Sequence, residues 1–413
     1  MEPARVAGNR PLSGIRILDL STMLAGPFGS MMLADLGAEV IKIETAEGDG
    51  TRTFPPHFHK GDSLYYLSIN RNKRSVVLDL KQPEGLAVFY ELVKKSDVVW
   101  DNFRSGISKR LKVDYESLQQ INPAIISCAI SAFGEGNPHD GDQPIYDLCI
   151  QGMSGVLDMT GEPDRPPVKL GIPMADLSGG WYAVVGLLAA LVERTRTGKG
   201  QKVDVAMLDS IASLHTYEAA YCLYSGSVPH RIGTNHRSLV PYQIFQTKDI
   251  YIAIVVALDK FWGSLCKALG IPQYTNDDRF ATIAARYEHR QDVVDLLSKI
   301  LVQKTCAEWL VPLKASGVPC APVNTLDKAL KEPALLHRNM VVEIDHYGEP
   351  VKVLGNPIKL SNNDDHFTRP PKLGENTCEV LKEVLGYPDS RIEELASKKV
   401  IQLGVPNACR QMA

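Results

Sequence analysis

The sequence predicts an α/β protein with a large parallel-sheet domain and a smaller α+β domain, and three observations carry that prediction. The chain has 413 residues, beyond the ~250–300 at which single hydrophobic cores stop growing. Its first third alternates short β-branched runs with helical patterns, the order that gives right-handed crossovers and a parallel sheet covered on both faces. From about Gly226 the pattern changes to a loop-rich stretch followed by one strand and several helices.

Taken in order, "IRILDL" reads as a strand, "GPFGSMMLADLG" as a helix, "EVIKIE" and "SVVLDL" as strands and "PEGLAVFYELVKK" as a helix. Then come the strand "DVVWDNF", the helix "YESLQQI" and the strand "AIISCAIS". The alternation is Rossmann-like, and ligands of such sheets sit beyond the strand C-termini. The loops there are "STMLAGP", "ETAEGDGTR" and "DNFRSG". The first contains "LAGPFGS", which does not fit G-x-G-x-x-G, so a nicotinamide oxidoreductase is disfavoured. A long apolar helix is expected over about 179–194 and a second over "AMLDSIASLHTYEAAY". Residues 11–225 are thus assigned to the large domain. Residues 226–330, with the strand "DIYIAIVVA" and the helices "DKFWGSLCKALG", "RQDVVDLLSKILVQ" and "TCAEWLVPLKASG", form the smaller one. Residues 331–413 read as a linker and a return to the large domain, ending in a tail, "VIQLGVPNACRQMA", with no assignable pattern.

The 45 Lys+Arg and 48 Asp+Glu are interspersed and leave a formal charge of −3, which points to neither nucleic acid nor a membrane surface. "NRNKRS" and "ERTRTGKGQK" read as solvated faces able to meet small anions. The eight cysteines are dispersed, with no C-x-x-C pair, so free thiols in a reducing compartment are expected. The run "WYAVVGLLAALV" is shorter than the ~20 residues that span a bilayer and reads as a buried helix. His57 and His59 alternate in "PPHFHK", but no carboxylate or cysteine cluster completes a metal site.

Chemistry centres on Asp176, followed by Ser178, Gly179 and Gly180. The plain reading is a helix cap. Two glycines at a helix start cost propensity that a cap does not require, so an alternative is an open N-terminus whose N–H groups stabilise an oxyanion.

The segment "PMADLSGGWYAVVGLLAALVERTRTGKGQKVDVAMLD" resembles the class III CoA-transferases, the formyl-CoA and carnitine CoA-transferase family. The likeness continues at "PLSGIRILDLSTMLAGPFGSMMLADLGAEVIKIE", "SINRNKRSVVLDLK", "DVVWDNFRSG", "IGTNHRSLVPYQIF", "GVPCAPVNT" and "LGENTCEVLKEVLG". Overall likeness is greatest to the mitochondrial succinyl-CoA:glutarate branch. The resemblance implies an interlocked homodimer of ring-like chains, acyl-CoA and dicarboxylic acids as substrates, no permanently bound cofactor, and a mitochondrial setting with the cytoplasm as the alternative. It makes Asp176 the nucleophile, with Gly179 and Gly180 as backbone donors or spacers. With an ordinary carboxylate pKa of about 4, Asp176 would need no general base.

For CoA, the resemblance implies contacts from Met23, Leu24 and Ala25 after the first strand, Leu78 and Lys81 at the third, Asn102 and Phe103, and Arg110 toward the phosphates. The family's glycine-rich active-site loop is replaced here by "RIGTNHRSLVPYQ". A dicarboxylic acceptor needs a cation for its distal carboxylate, best a bidentate arginine. Arg71, and Arg237 beside His236, are the candidates, with Asp147 as a positioning group. Related α-methylacyl-CoA racemases carry His-Asp where this chain has Tyr146-Asp147, and a phenol of ordinary pKa about 10 is a poor base at neutral pH. A non-catalytic acyl-CoA-binding protein is the remaining alternative.

Overall fold

The computed structural model describes residues 10–137 and 144–404. The chain runs β1 (Arg16–Asp19), α1 (Ala25–Asp35), β2 (Glu39–Glu44), the two-residue strands β3 (Phe58–His59) and β4 (Asp62–Ser63), then α2 (Leu64–Ile69) and β5 (Lys73–Leu78). It continues with α3 (Pro83–Lys94), β6 (Val98–Asp101), α4 (Ile107–Leu111), α5 (Tyr115–Ile121), β7 (Ile126–Ser131) and α6 (Asp147–Met153). After α7 (Val156–Met159) come the long helix α8 (Met174–Thr197), β8 (Lys202–Ala206), α9 (Met207–Ser213) and α10 (Thr216–Ser225). The middle of the chain gives β9 (Tyr242–Gln246), β10 (Tyr251–Val255), α11 (Asp259–Leu269), α12 (Ile283–Glu288), α13 (Arg290–Leu301), α14 (Cys306–Ala315) and β11 (Cys320–Pro322). The last part gives α15 (Leu326–Ala329), α16 (Pro333–His337), the hairpin β12 (Val341–Asp345) and β13 (Pro350–Leu354), α17 (Thr377–Leu385), α18 (Asp389–Ser397) and β14 (Ile401–Gln402).

The chain divides into two compact units. One takes the residues up to Ser154, Gly171–Thr216 and those from Ala334 onward; the other takes Gly155–Leu170 and Tyr217–Pro333. This departs from a single boundary at 226. The expected helix over 206–221 breaks into α9 and α10 at Thr216, whose φ of 44° is left-handed, and the chain changes unit there. Nothing in the composition of 155–170 marks it as an excursion into the second unit.

In the first unit the sheet order is β14-β5-β2-β1-β6-β7-β8, with every pair parallel except β14 against β5. Among the six parallel strands this is the doubly wound order 3-2-1-4-5-6, which reverses direction between β1 and β6 and opens a crevice at their C-terminal ends. β2 and β5 to β7 are buried along almost their whole length because both faces are covered. On one face Val88, Phe89, Leu92 and Val93 of α3 pack with Leu118 of α5 and Leu381 of α17 over Ile41, Val76 and Val99. α3 has Pro83 at its first position, Glu84 in its first turn and Lys94 in its last, an order that suits the helix dipole.

The second unit is a three-stranded antiparallel sheet, β11-β10-β9, whose Ile252 and Ile254 pack with Trp262, Leu265, Leu297 and Leu313 of its helices. Six cysteines are free thiols, but Cys378 in α17 is disulfide-bonded. That corrects the expectation of free thiols throughout, and dispersed cysteines carry no pattern from which a pairing is readable. Cys409 lies outside the described residues.

Candidate active site

The geometry around Asp176 begins with a missing cap. α8 starts at Met174, and Pro173 before it offers no side-chain hydrogen bond to the orphan N–H groups of the first turn. Asp147, itself in the first turn of α6, supplies what is missing. Its Oδ1 accepts from Ala175 N–H at 2.8 Å and from Asp176 N–H at 3.4 Å, and its Oδ2 accepts from Gln151 Nε2 at 2.6 Å. Asp147, expected as a positioning group beside the substrate, is therefore a helix cap delivered from a neighbouring helix, with both carboxylate oxygens accepting from the protein. Asp176 lies inside the first turn, so it is not a cap either.

Gly179 and Gly180 are also inside the helix and buried, with their N–H groups in the helical ladder. They are spacers, not oxyanion donors. A Cβ on Gly180 would come within 2.7 Å of the Ala25 carbonyl oxygen and 3.3 Å of Phe28 Cδ1; one on Gly179 would meet Met207 Cγ at 3.0 Å. α1 and α8 touch backbone to backbone here, which holds the start of α1 against the turn that carries Asp176. Gly180→Ala is expected to destabilise the protein by about 1–3 kcal/mol in chemical unfolding, since the obstructing atom is backbone. Gly179→Ala should cost less because the Met207 side chain has rotamers to move into.

Among the described residues no hydrogen bond or ion pair reaches the Asp176 carboxylate. The group is half-buried, and that burial, with the Asp147 charge beside it, pushes its pKa up to about 7. The expectation of an ordinary, fully ionised carboxylate is thereby corrected. Tyr65, which sequence reasoning passed over, belongs to the same constellation: burial first, then the charges of Asp176, Asp49 and Asp147, raise its phenol. Its ring meets Phe54 edge-on at 5.6 Å, and a Cβ on Gly50 would lie 3.9 Å from both Phe54 Cε1 and Met23 Sδ.

Met23 sits in the loop between β1 and α1 at φ 68°, a left-handed conformation rare outside glycine. Side chains hold the loop's backbone almost atom by atom. Asp19 Oδ1 accepts from Ser21 N–H at 2.9 Å, and Lys42 Nζ donates to Ser21 O at 2.6 Å. Asn102 accepts from Thr22 N–H at 2.9 Å and donates to Thr22 O at 2.7 Å, while Asp49 accepts from Met23 N–H at 3.3 Å. Beneath the loop lies a buried charge chain: Lys42 pairs with Asp49 at 3.0 Å and Lys73 with Asp19 at 3.1 Å. Lys73, expected to be solvated, is wholly buried and drops to about 8. Asn102 is accordingly a loop clamp, with one N–H and one lone pair of its amide engaged by Thr22.

Beyond the C-terminal ends of β1, β2 and β5 lies a cavity of about 630 Å³ in the first unit, lined by Leu78, Lys81 and Phe103, three of the residues that the resemblance gives as CoA contacts, with Thr22, Thr45 and Leu111. Leu24 and Ala25 are buried at the start of α1 and Met23 is half-buried; none of the three lines the cavity. Arg110 is exposed in α4, one residue before Leu111.

The expected cations for a distal carboxylate are already occupied. Arg71 is buried and grips Asp35 with both arms, at 2.9 and 2.6 Å, while donating to Leu354 O at 2.6 Å. It is a structural ion pair. In the second unit Arg237 pairs with Glu218 and donates to His230 O at 2.9 Å. His236 Nδ1 accepts from Ser238 and Leu239 N–H at 3.0 and 3.2 Å, and its ring stacks between Tyr217 and Tyr242. Among the described residues no group of three or more His, Cys, Asp or Glu side chains could hold a metal ion.

Comparison with known proteins adds the following. The model of CoA-transferase family III matches residues 12–377. The chain is 37% identical over 396 residues to the succinyl-CoA:glutarate CoA-transferase of Homo sapiens, covering 95% of this chain and 90% of that protein. It is 39% identical to the succinate–glutarate CoA-transferase of Agrobacterium fabrum, covering 91% and 96%. Among solved structures, a CAIB/BAIF family protein from Brucella suis superposes with a TM-score of 0.82 at 38% identity, covering 91% of this chain and 100% of that one.

Proposed function

The chain belongs to CoA-transferase family III, and from that premise we propose that it moves CoA from a dicarboxyl-CoA donor such as succinyl-CoA to a dicarboxylic acid such as glutarate. The observation that carries the reading is the half-buried Asp176 carboxylate, which no hydrogen bond or ion pair reaches among the described residues and whose pKa is pushed up to about 7. A structural aspartate in such a place would be paired; one left bare beside a second carboxylate is poised for chemistry.

In the proposed sequence an Asp176 oxygen attacks the thioester carbonyl, the C–S bond breaks, and CoA leaves as thiolate with a mixed anhydride on the enzyme. The thiolate then attacks the Asp176 carbonyl, releasing the donor acid and leaving an aspartyl-CoA thioester. The acceptor carboxylate attacks that thioester to form a second anhydride and free the thiolate, which finally attacks the acceptor's acyl carbonyl and restores Asp176. No redox partner or net proton is required. Asp147 keeps Asp176 at the start of α8 and tunes its proton affinity. The rigid loop of Ser21–Met23 and the close α1–α8 contact fix the wall against which the thioester lies, the preorganisation that nucleophilic catalysis needs.

The racemase alternative loses its base, since Tyr146 stands where a histidine is required and is largely exposed. The proposal keeps the interlocked homodimer and the mitochondrial setting that the family resemblance implies; a single-chain mass in light scattering would overturn the first. The test is chromatographic. With succinyl-CoA as donor, glutarate and other dicarboxylic acids should each be scored for acyl-CoA product; glutaryl-CoA is expected, and a chain that accepts only monocarboxylic acids would contradict the reading.

A further inference from the structure

Residues 400–403, the first of a stretch that carries no legible pattern in sequence, form one wall of the cavity at the strand ends. Val400, Ile401, Gln402 and Leu403 line it together with Ala396 and Lys399. The wall is firmly attached: Ile401 pairs with Leu78 and Gln402 with Val77, Asp79 N–H donates to Val400 O at 2.9 Å, and Gly404 N–H donates to Gly374 O at 2.9 Å. Lys399 stands out within it. Its φ is 58°, a left-handed conformation that side-chain-bearing residues take at a cost and glycine takes freely.

The two ammonium groups lining the cavity differ in their surroundings. Lys81 has the Glu47 carboxylate close by, and its backbone N–H donates to Asp79 Oδ1 at 3.0 Å. Among the described residues no hydrogen bond or ion pair reaches the Lys399 ammonium. An unpaired cation on a strained residue, at the rim of a mostly apolar slot, suits a ligand with a flat apolar ring and an anionic substituent. The adenosine phosphate end of CoA has that chemistry.

We propose that this C-terminal segment closes the nucleotide end of the CoA site and that Lys399 contacts a phosphate of the bound CoA. The inference rests on the CoA-transferase reading above and assigns Lys399 and residues 400–403 to ligand binding.

The test is calorimetric titration of CoA into the full chain, wild type beside Lys399→Gly and Lys399→Arg. Glycine fits φ 58° without strain, so the first variant retains the fold. Its Kd for CoA should rise about 10-fold, the scale of one charge-assisted hydrogen bond, and the arginine variant should bind nearly as wild type does. Repeating the titration with 3′-dephospho-CoA separates the two phosphate sources: the difference between wild type and Lys399→Gly vanishes if the 3′-phosphate is the partner and persists if the pyrophosphate is. Equal CoA affinity for wild type and Lys399→Gly overturns the proposal alone, as does an arginine variant no better than the glycine one. A wild type that binds no CoA overturns it together with the transferase reading.

Discussion

Replacing Asp176 by alanine is expected to stop CoA transfer, with kcat lowered at least ~10³-fold, because the residue is proposed to form every covalent intermediate. Asp176→Asn should fare no better, since an amide cannot be acylated and released in the same cycle. Both variants should still bind CoA, because the cavity residues at the ends of β1, β2 and β5 are untouched. The covalent step has its own readout. Wild type mixed with succinyl-CoA in the absence of acceptor should gain the mass of CoA less water, the aspartyl-CoA thioester, and hydroxylamine should remove it. An alanine variant that retains more than about a tenth of wild-type turnover would falsify the assignment.

A stability measurement separates a nucleophile from a structural residue. Asp176 has a folded-state pKa of about 7, above the 3.8 of the free group. The folded protein thus holds the proton more tightly than the unfolded chain. The stabilisation from this preference is fully present below about pH 4 and is lost as pH rises through about 7. Asp176→Asn carries no charge to bury, so it should unfold at higher temperature than wild type at about pH 8, with the gap closing at about pH 4. Higher stability with no activity is the signature of a strained functional group; a structural aspartate would show the reverse.

Much of the fold is legible in the sequence because its strands are buried on both faces. β2 coincides with "EVIKIE", β6 and β7 lie within "DVVWDNF" and "AIISCAIS", and β5 overlaps "SVVLDL" but begins two residues earlier, at Lys73. β8 passes unnoticed because "KVDVA" is only partly buried and lacks a continuous apolar run, and β14 because two residues carry no period. The charges in "NRNKRS" are misread for a different reason. Arg71 and Lys73 look like solvated cations, and the partners that bury them, Asp35 and Asp19, lie 36 and 54 residues away in sequence. The candidacy of Asp176 as nucleophile comes from the family resemblance, but its proton affinity is not legible, since desolvation and the Asp147 charge exist only after folding. Tyr65 escapes for the same reason: in "DSLYYLSIN" nothing separates it from Tyr66, which is wholly buried and donates to Pro371 O.

The second large effect concerns pH. If attack requires the Asp176 carboxylate, kcat/KM for succinyl-CoA should rise about tenfold per pH unit below about 7 and level off above it, reporting the free enzyme. The cause of the displacement divides into burial and the Asp147 charge, in that order. Asp147→Asn removes the charge, while an amide oxygen can still accept from Ala175 N–H and so retain the cap. The acid limb should therefore move to lower pH without reaching about 4, the ordinary carboxylate value, because burial remains. Activity at about pH 6 relative to the plateau should increase, whereas Asp147→Ala, which also uncaps α8, should lose activity at every pH. An unshifted limb in Asp147→Asn would mean that the titrating group is not Asp176. A shift without loss of plateau would establish Asp147 as a positioning residue that sets when the nucleophile is available.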